Sequence, residues 1–167
     1  MTKRNIIKTL LNKQLPERVG LNESFWPFIV ENAWEAQGIA AGTDFVRRFN
    51  LDLPIILHTC GDFRPHIESI IESGVDCIQA LEAKTGMNVV KLAEQYKDRL
   101  CFMGNIDVRA LESGDRKRIQ EECLGKLNGM KALRAPYVFM SDHSIPPSVT
   151  VADYEFMLEL FWKNCRY

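Results

Sequence analysis

The sequence predicts an α/β fold built on a parallel sheet, either a barrel or a doubly wound sheet, on three observations. From Pro54 onward, short apolar runs alternate with amphipathic stretches. The runs are mostly apolar on both faces, as strands covered on both sides are. Each run is separated from the next by a helical pattern, the arrangement that right-handed crossovers between parallel strands require. With 167 residues, 46% of them hydrophobic, the chain has material for one core and is expected to form one domain.

The first fifty residues differ from the rest. A short helix is expected near Lys3 to Asn12, then an irregular turn at Leu15-Pro16-Glu17-Arg18 and an aromatic segment with Phe25, Trp26, Phe28 and Trp34. Aromatic residues so spaced serve more often as core or interface anchors than as a stacking platform for bases, and that reading is preferred. Gly38 to Gly42, GIAAG, reads as a loop. The regular part begins with Pro54 to His58 as a strand and Pro65 to Ser73 as a helix, with Ile67, Ile70 and Ile71 at helical spacing and Gly74 as the stop. Val75 to Ala80 is the second strand. Asn88 to Lys97 follows as a helix that gathers Val89, Val90, Leu92, Ala93 and Tyr96 on one side. Leu100 to Asn105 is the third strand, and Asp115 to Leu127 has Ile119, Cys123, Leu124 and Leu127 at helical spacing. Pro136 to Ser141 is the fourth strand. Val151 to Lys163 closes the chain as a helix with a stripe of Tyr154, Met157, Leu158, Phe161 and Trp162, capped by Ser148 or Thr150.

Composition excludes several classes of partner. The apolar runs are far shorter than the roughly 20 residues of a membrane span, and MTKRNIIKTL is not followed by an apolar signal region, so a cytoplasmic protein without a membrane partner is expected. A net charge of -1 with interspersed signs gives no basic face for nucleic acid. The five cysteines, Cys60, Cys77, Cys101, Cys123 and Cys165, have no C-x-x-C pair and read as free thiols or metal ligands.

In parallel α/β folds, chemistry gathers where strands end, and those positions read HTCGD, ALEAKTGM, GNID and SDHSIPP. His58 and Cys60, two apart on an extended chain, point to the same side and could reach one metal. Imidazole with thiolate suits zinc, whose catalytic sites take about three protein ligands. His143 is the best further candidate and Glu82 the next, while simple packing is the alternative for a lone His or Cys on an apolar strand. Pro146-Pro147 stiffens the loop behind His143. Asp62 reads as a turn or helix cap. Asp107 is either a cap or a site residue, and Asn105 either contacts a substrate oxygen or bonds neighbouring loop backbone. His66, within a predicted helix, reads as a surface or capping residue.

Taken in order, LHTCGD, LEAKTGM, FMGNID and SDHSIPP resemble the C-terminal half of the uroporphyrinogen decarboxylase superfamily over about Phe45 to Phe161. The opening TKRNIIKTLLNKQLPERVGL is similar to the family's beginning. The resemblance implies a (β/α)8 TIM barrel, a fold that typically takes about 250 residues. A partial barrel is therefore expected: residues 1–44 as an N-terminal helical segment, residues 45–167 as four C-terminal βα units, and an internal deletion between about Gly38 and Asp44. GLNESFWPF after Val19 lacks the arginine of the decarboxylases' substrate loop, whereas the H-x-C pair is similar to the zinc ligands of the corrinoid-dependent methyltransferases. In that branch His58, Cys60 and His143 or Glu82 would hold Zn2+, with Asp107 and Asn105 as substrate or supporting contacts. A methylcorrinoid on a partner protein would give its methyl group to a thiol. The alternatives are a decarboxylase acting on a tetrapyrrole-type substrate, and a truncated interaction module without turnover. Half a barrel is expected to leave open sheet edges and an uncovered inner face of Val, Ile, Leu and Phe, hence a homodimer or other self-association.

Overall fold

The computed structural model describes residues 5–6, 9–10, 13–21, 33–40, 48–49, 57–72, 75 and 77–167. Five strands form one sheet: β1 Gly20–Leu21, β2 Leu57–Thr59, β3 Cys77–Ala80, β4 Cys101–Gly104 and β5 Tyr137–Phe139. All pairings are parallel and the order is β1-β5-β4-β3-β2. Helices among the described residues include α1 Ile67–Glu72, α2 Val89–Tyr96, α3 Val108–Glu112, α4 Arg116–Ala132 and α5 Val151–Asn164. The α/β class and the helix between successive strands are as expected, and the architecture is that of a partial TIM barrel.

The strand count is corrected from four to five. β1 pairs with β5 through Gly20 opposite Val138 and Leu21 opposite Phe139. A two-residue strand has no alternation to read, and only the edge of β5 makes Gly20 and Leu21 extended. Of the expected strand Pro54 to His58, Leu57 and His58 are in β2, and Pro54 to Ile56 lie outside the described residues. Phe25, Trp26 and Phe28, and Ala41 to Asp44 of the expected junction, also lie outside them. Trp34 is an anchor as expected. It is fully buried, packs on Phe49 and Tyr154, and donates its indole N–H to Val149 O at 2.9 Å.

Helix starts follow their caps. Asn88 accepts from the Val90 and Lys91 N–H groups, Asp107 from Arg109, and Asp115 from Lys117 and Arg118. Of the two candidates for α5, Thr150 is the cap: its hydroxyl accepts from the Asp153 N–H and donates to the Asp153 carboxylate. The helix expected over Asp115 to Leu127 runs on to Ala132 because Met130, fully buried, continues the same apolar face.

Alternation divides the sheet's side chains between two faces. Ile78, Phe102, Tyr137 and Phe139 join the main core under the helices. Cys77, Cys101, Met103, Val138 and Met140 form a second cluster on the other face with Ile6 and Leu10. This corrects the expectation of an uncovered inner face. Ile6 and Leu10, four apart on the N-terminal helical turns, lie over the sheet and are 1% and 0% exposed. Burying each contributes about 1.5–3 kcal/mol. The face they cover is lined by sulfur-bearing side chains and Val138 rather than by Ile, Leu and Phe.

The strand ends at one edge carry unusual backbone. Ala80, Leu81, Gly104 and Asn105 all have positive φ, at 74, 61, 109 and 74°. At Gly104 a Cβ would lie 2.3 Å from Ala80 O, so only glycine lets β3 and β4 approach there. Left-handed non-glycine residues cost free energy and cluster at functional ends of folds, which directs attention to this edge.

Candidate functional site

His58 and Gln79 are register partners on β2 and β3, so their side chains lie on the same face of the sheet. His58 Nδ1 is 2.9 Å from Gln79 Oε1, and its Nε2 is 3.2 Å from Cys60 Sγ. The amide oxygen can only accept, so Nδ1 carries the proton and the Nε2 lone pair is directed at the cysteine. Both His58 and Cys60 are exposed. Together with Gln79, Met140, Asp142 and His143 they line a cavity of about 110 Å³. A second cavity of about 220 Å³, lined in part by Glu82, Lys84, Asp107 and Arg109, shares Asp142, His143 and Ser144 with the first.

The remaining expected site residues have other engagements. Glu82, with 8% of its side chain exposed, accepts from the Gly61 N–H at 2.6 Å and pairs with Lys84 at 2.7 Å. The Lys84 ammonium and the Gly61 N–H hold its carboxyl below the usual range, and Glu82 in turn raises Lys84. Asp107 caps α3 and receives the Arg109 guanidinium at 2.8 and 2.7 Å. Burial pushes its carboxyl up, but the Arg109 hydrogen bonds outweigh that and hold it low. Asn105 is fully buried, and its amide makes three bonds to loop backbone: Oδ1 accepts from Val89 N, while Nδ2 donates to Leu81 O and Met87 O. Asp62 accepts from the Arg64 backbone and guanidinium in a tight turn, and His66 ends a 3₁₀ turn.

Sequence reading passed over three residues that shape this edge. Asp142 accepts from Val108 N at 3.0 Å with one oxygen and from Ala83 N at 2.8 Å with the other, joining the loops after β3, β4 and β5. Burial pushes its carboxyl up. The available signal was its place beside His143 in SDHS. Lys126, buried on α4, donates to Asn105 O and to Glu122, whose carboxylate also accepts from Asp107 N. No pattern in the sequence marks a helix lysine as buried. Gln79 lay inside a strand, and only the register reveals that it orients His58.

The donor set can be tested against a metal. Two ligands of a tetrahedral zinc ion, with bonds of about 2.0 Å to nitrogen and 2.3 Å to sulfur, lie about 3.5 Å apart. The 3.2 Å between His58 Nε2 and Cys60 Sγ is close to that span, and Gln79 supplies the outer hydrogen bond that metal-ligating histidines have. His58 and Cys60 therefore fit as a ligand pair. Among the described residues no group of three or more His, Cys, Asp and Glu side chains is gathered as a metal cluster. His143 shares the cavity of the pair without completing a set of three.

No helix among the described residues is long and apolar enough to cross a membrane. A search of curated proteins finds no match to the chain. A sequence model of the family described as uroporphyrinogen decarboxylase (URO-D) matches residues 32–163. The chain belongs to the uroporphyrinogen decarboxylase family.

Proposed function

We propose that, as a member of this family, the chain is of the methyltransferase type and binds zinc through His58 and Cys60 to methylate a thiol from a methylcorrinoid. The observation that carries the reading is the paired geometry of His58 and Cys60 at the strand-end cavity, with Gln79 fixing the imidazole. Bound there, zinc would lower the pKa of an acceptor thiol so that its thiolate is present near neutral pH. Every other contribution belongs to the chain. Gln79 fixes the tautomer and ring plane of His58. Asp142 joins three loops and so sets the shape of the cleft that would receive the acceptor. Glu82 holds the turn after Cys60 through the Gly61 N–H. Arg109 keeps Asp107 ionised in the lining of the adjoining cavity. The acceptor thiolate would attack the methyl carbon of a methylcorrinoid brought by a partner protein to the same edge, the carbon–sulfur bond forming as the carbon–cobalt bond breaks and its electron pair stays with the corrinoid. Two protein ligands fall short of the three that a catalytic zinc takes, and His143 is the further candidate on this cavity.

Metal analysis of the purified chain beside Cys60→Ser tests the reading without a known substrate. Zinc that co-purifies with the wild type and is lost from the variant supports it. A wild-type chain that takes up no zinc from zinc-supplemented buffer overturns it, and decarboxylation of a carboxylated tetrapyrrole, which rests on the family match alone, then takes its place.

A further inference from the structure

We propose that a second copy of this chain completes the metal site, the two β2 edges pairing antiparallel about Thr59 so that His58 of each copy stands opposite Cys60 of the other. The inference rests on the reading that His58 and Cys60 bind zinc, and it gives the second copy the place otherwise left to His143.

Four observations lead to it. The described side chains bring together two ligands, not three. Both belong to the end of the sheet: β2 is terminal in the strand order, with β3 as its one strand partner among the described residues. The edge is accessible, since His58 and Cys60 are exposed and Leu57 is 40% exposed. The run LHTCG from Leu57 to Gly61 has no Lys, Asp, Glu or Pro, the residues that proteins place on edges to keep them apart.

Geometry selects the register. In an antiparallel pair with a two-fold axis at Thr59, residue 58 of one copy lies opposite residue 60 of the other, and all four side chains share one face. Neighbours along a strand are then about 6.6 Å apart and those across about 4.5–5.5 Å, which places two imidazoles and two thiolates around one point. Centring the axis on His58 instead would separate the two cysteines by about 13 Å along the sheet, too far for one ion. Three of the four protein ligands suffice for a catalytic zinc, so an acceptor thiol can replace the fourth. A three-residue edge buries far less than the roughly 1,000 Å² of a stable interface, so the pairing depends on the metal.

Native mass spectrometry and sedimentation equilibrium of the full chain, with zinc chloride and then with EDTA, test this. The expected result is a doubling of mass on adding zinc, one ion per two chains, and return to the monomer with EDTA. Cys60→Ser should abolish both changes. Thr59→Lys sets two ammonium groups face to face on the axis while leaving both ligands in place, and should abolish the doubling. One zinc per monomer overturns the inference and leaves the proposed function standing with His143 as the third ligand. No zinc overturns both. A dimer indifferent to EDTA overturns the inference, and this wild-type arm decides the matter if Thr59→Lys does not fold.

Discussion

Replacing Asn105 by Ala isolates what this side chain does at the end of β4. The substitution strands three buried backbone groups: the Val89 N–H and the Leu81 and Met87 carbonyls, which now meet the amide at 2.8, 2.6 and 3.1 Å. Leaving a buried donor or acceptor unsatisfied costs about 1–3 kcal/mol, so three together cost roughly 3–6 kcal/mol after some relaxation. The backbone adds to this. Asn105 has φ 74°, a conformation that Asn tolerates better than Ala. Against a total stability of about 5–15 kcal/mol for a domain, the loss is a large fraction. Urea unfolding followed by circular dichroism gives the difference directly, with Asn105→Asp as companion, because a carboxylate cannot donate to the two carbonyls. A midpoint within error of the wild type for Asn105→Ala would refute the reasoning and return Asn105 to the role of a substrate contact.

Two further outcomes are expected. Leu10→Ala removes a fully buried side chain from over the sheet and should cost about 2–5 kcal/mol; in a thiol-reagent titration of the native chain, Cys77 and Cys101 should then react markedly faster, and unchanged rates would show that the segment does not cover them. Asp62 should titrate with a midpoint of about 2, well under its ordinary 3.8, because the Arg64 guanidinium and backbone N–H bind its ionised form. Whatever Asp62 adds to folding is therefore present above pH 3.8 and lost as pH falls through about 2. Carboxyl chemical shifts should show this, with Arg64→Ala raising the midpoint only part of the way towards 3.8, because the backbone N–H of residue 64 still binds the carboxylate; a normal midpoint in the wild type would refute it.

The parts of the fold legible in the sequence are those fixed by local pattern. α2, α4 and α5 have an apolar stripe and a capping Asn, Asp or Thr at the start, so spacing alone locates them within a few residues. β3, β4 and β5 are apolar runs flanked by helices, and the edge where their loops converge follows from parallel topology. β1 was not legible, because Gly20 and Leu21 become a strand only against Val138 and Phe139. Nor was the cover over the inner face. The i, i+4 pair of Ile6 and Leu10 declares an apolar face but not what that face meets. At the site, His58 and Cys60 were legible because residues two apart on a strand share a side. Gln79, Asp142 and Lys126 were not, since each acts through a partner brought near only by the folded sheet.

The strand order has a consequence for the route by which the chain reaches its fold. β2, β3, β4 and β5 are each joined to the next by a local βα unit, and they can assemble as they emerge. β1 cannot: its neighbour is β5, Arg18 bridges to Arg166, and Trp34 hydrogen-bonds Val149, 115 residues away. Closing so long a loop pays its chain entropy before contacts repay it, which slows folding. β1 and Trp34 can thus dock only after β5 and the segment around Val149 have formed. Until β5 is in place β1 cannot pair, and while the N-terminal turns are undocked the sheet face under Ile6 and Leu10 lies open, an apolar surface of the kind through which partly folded chains associate.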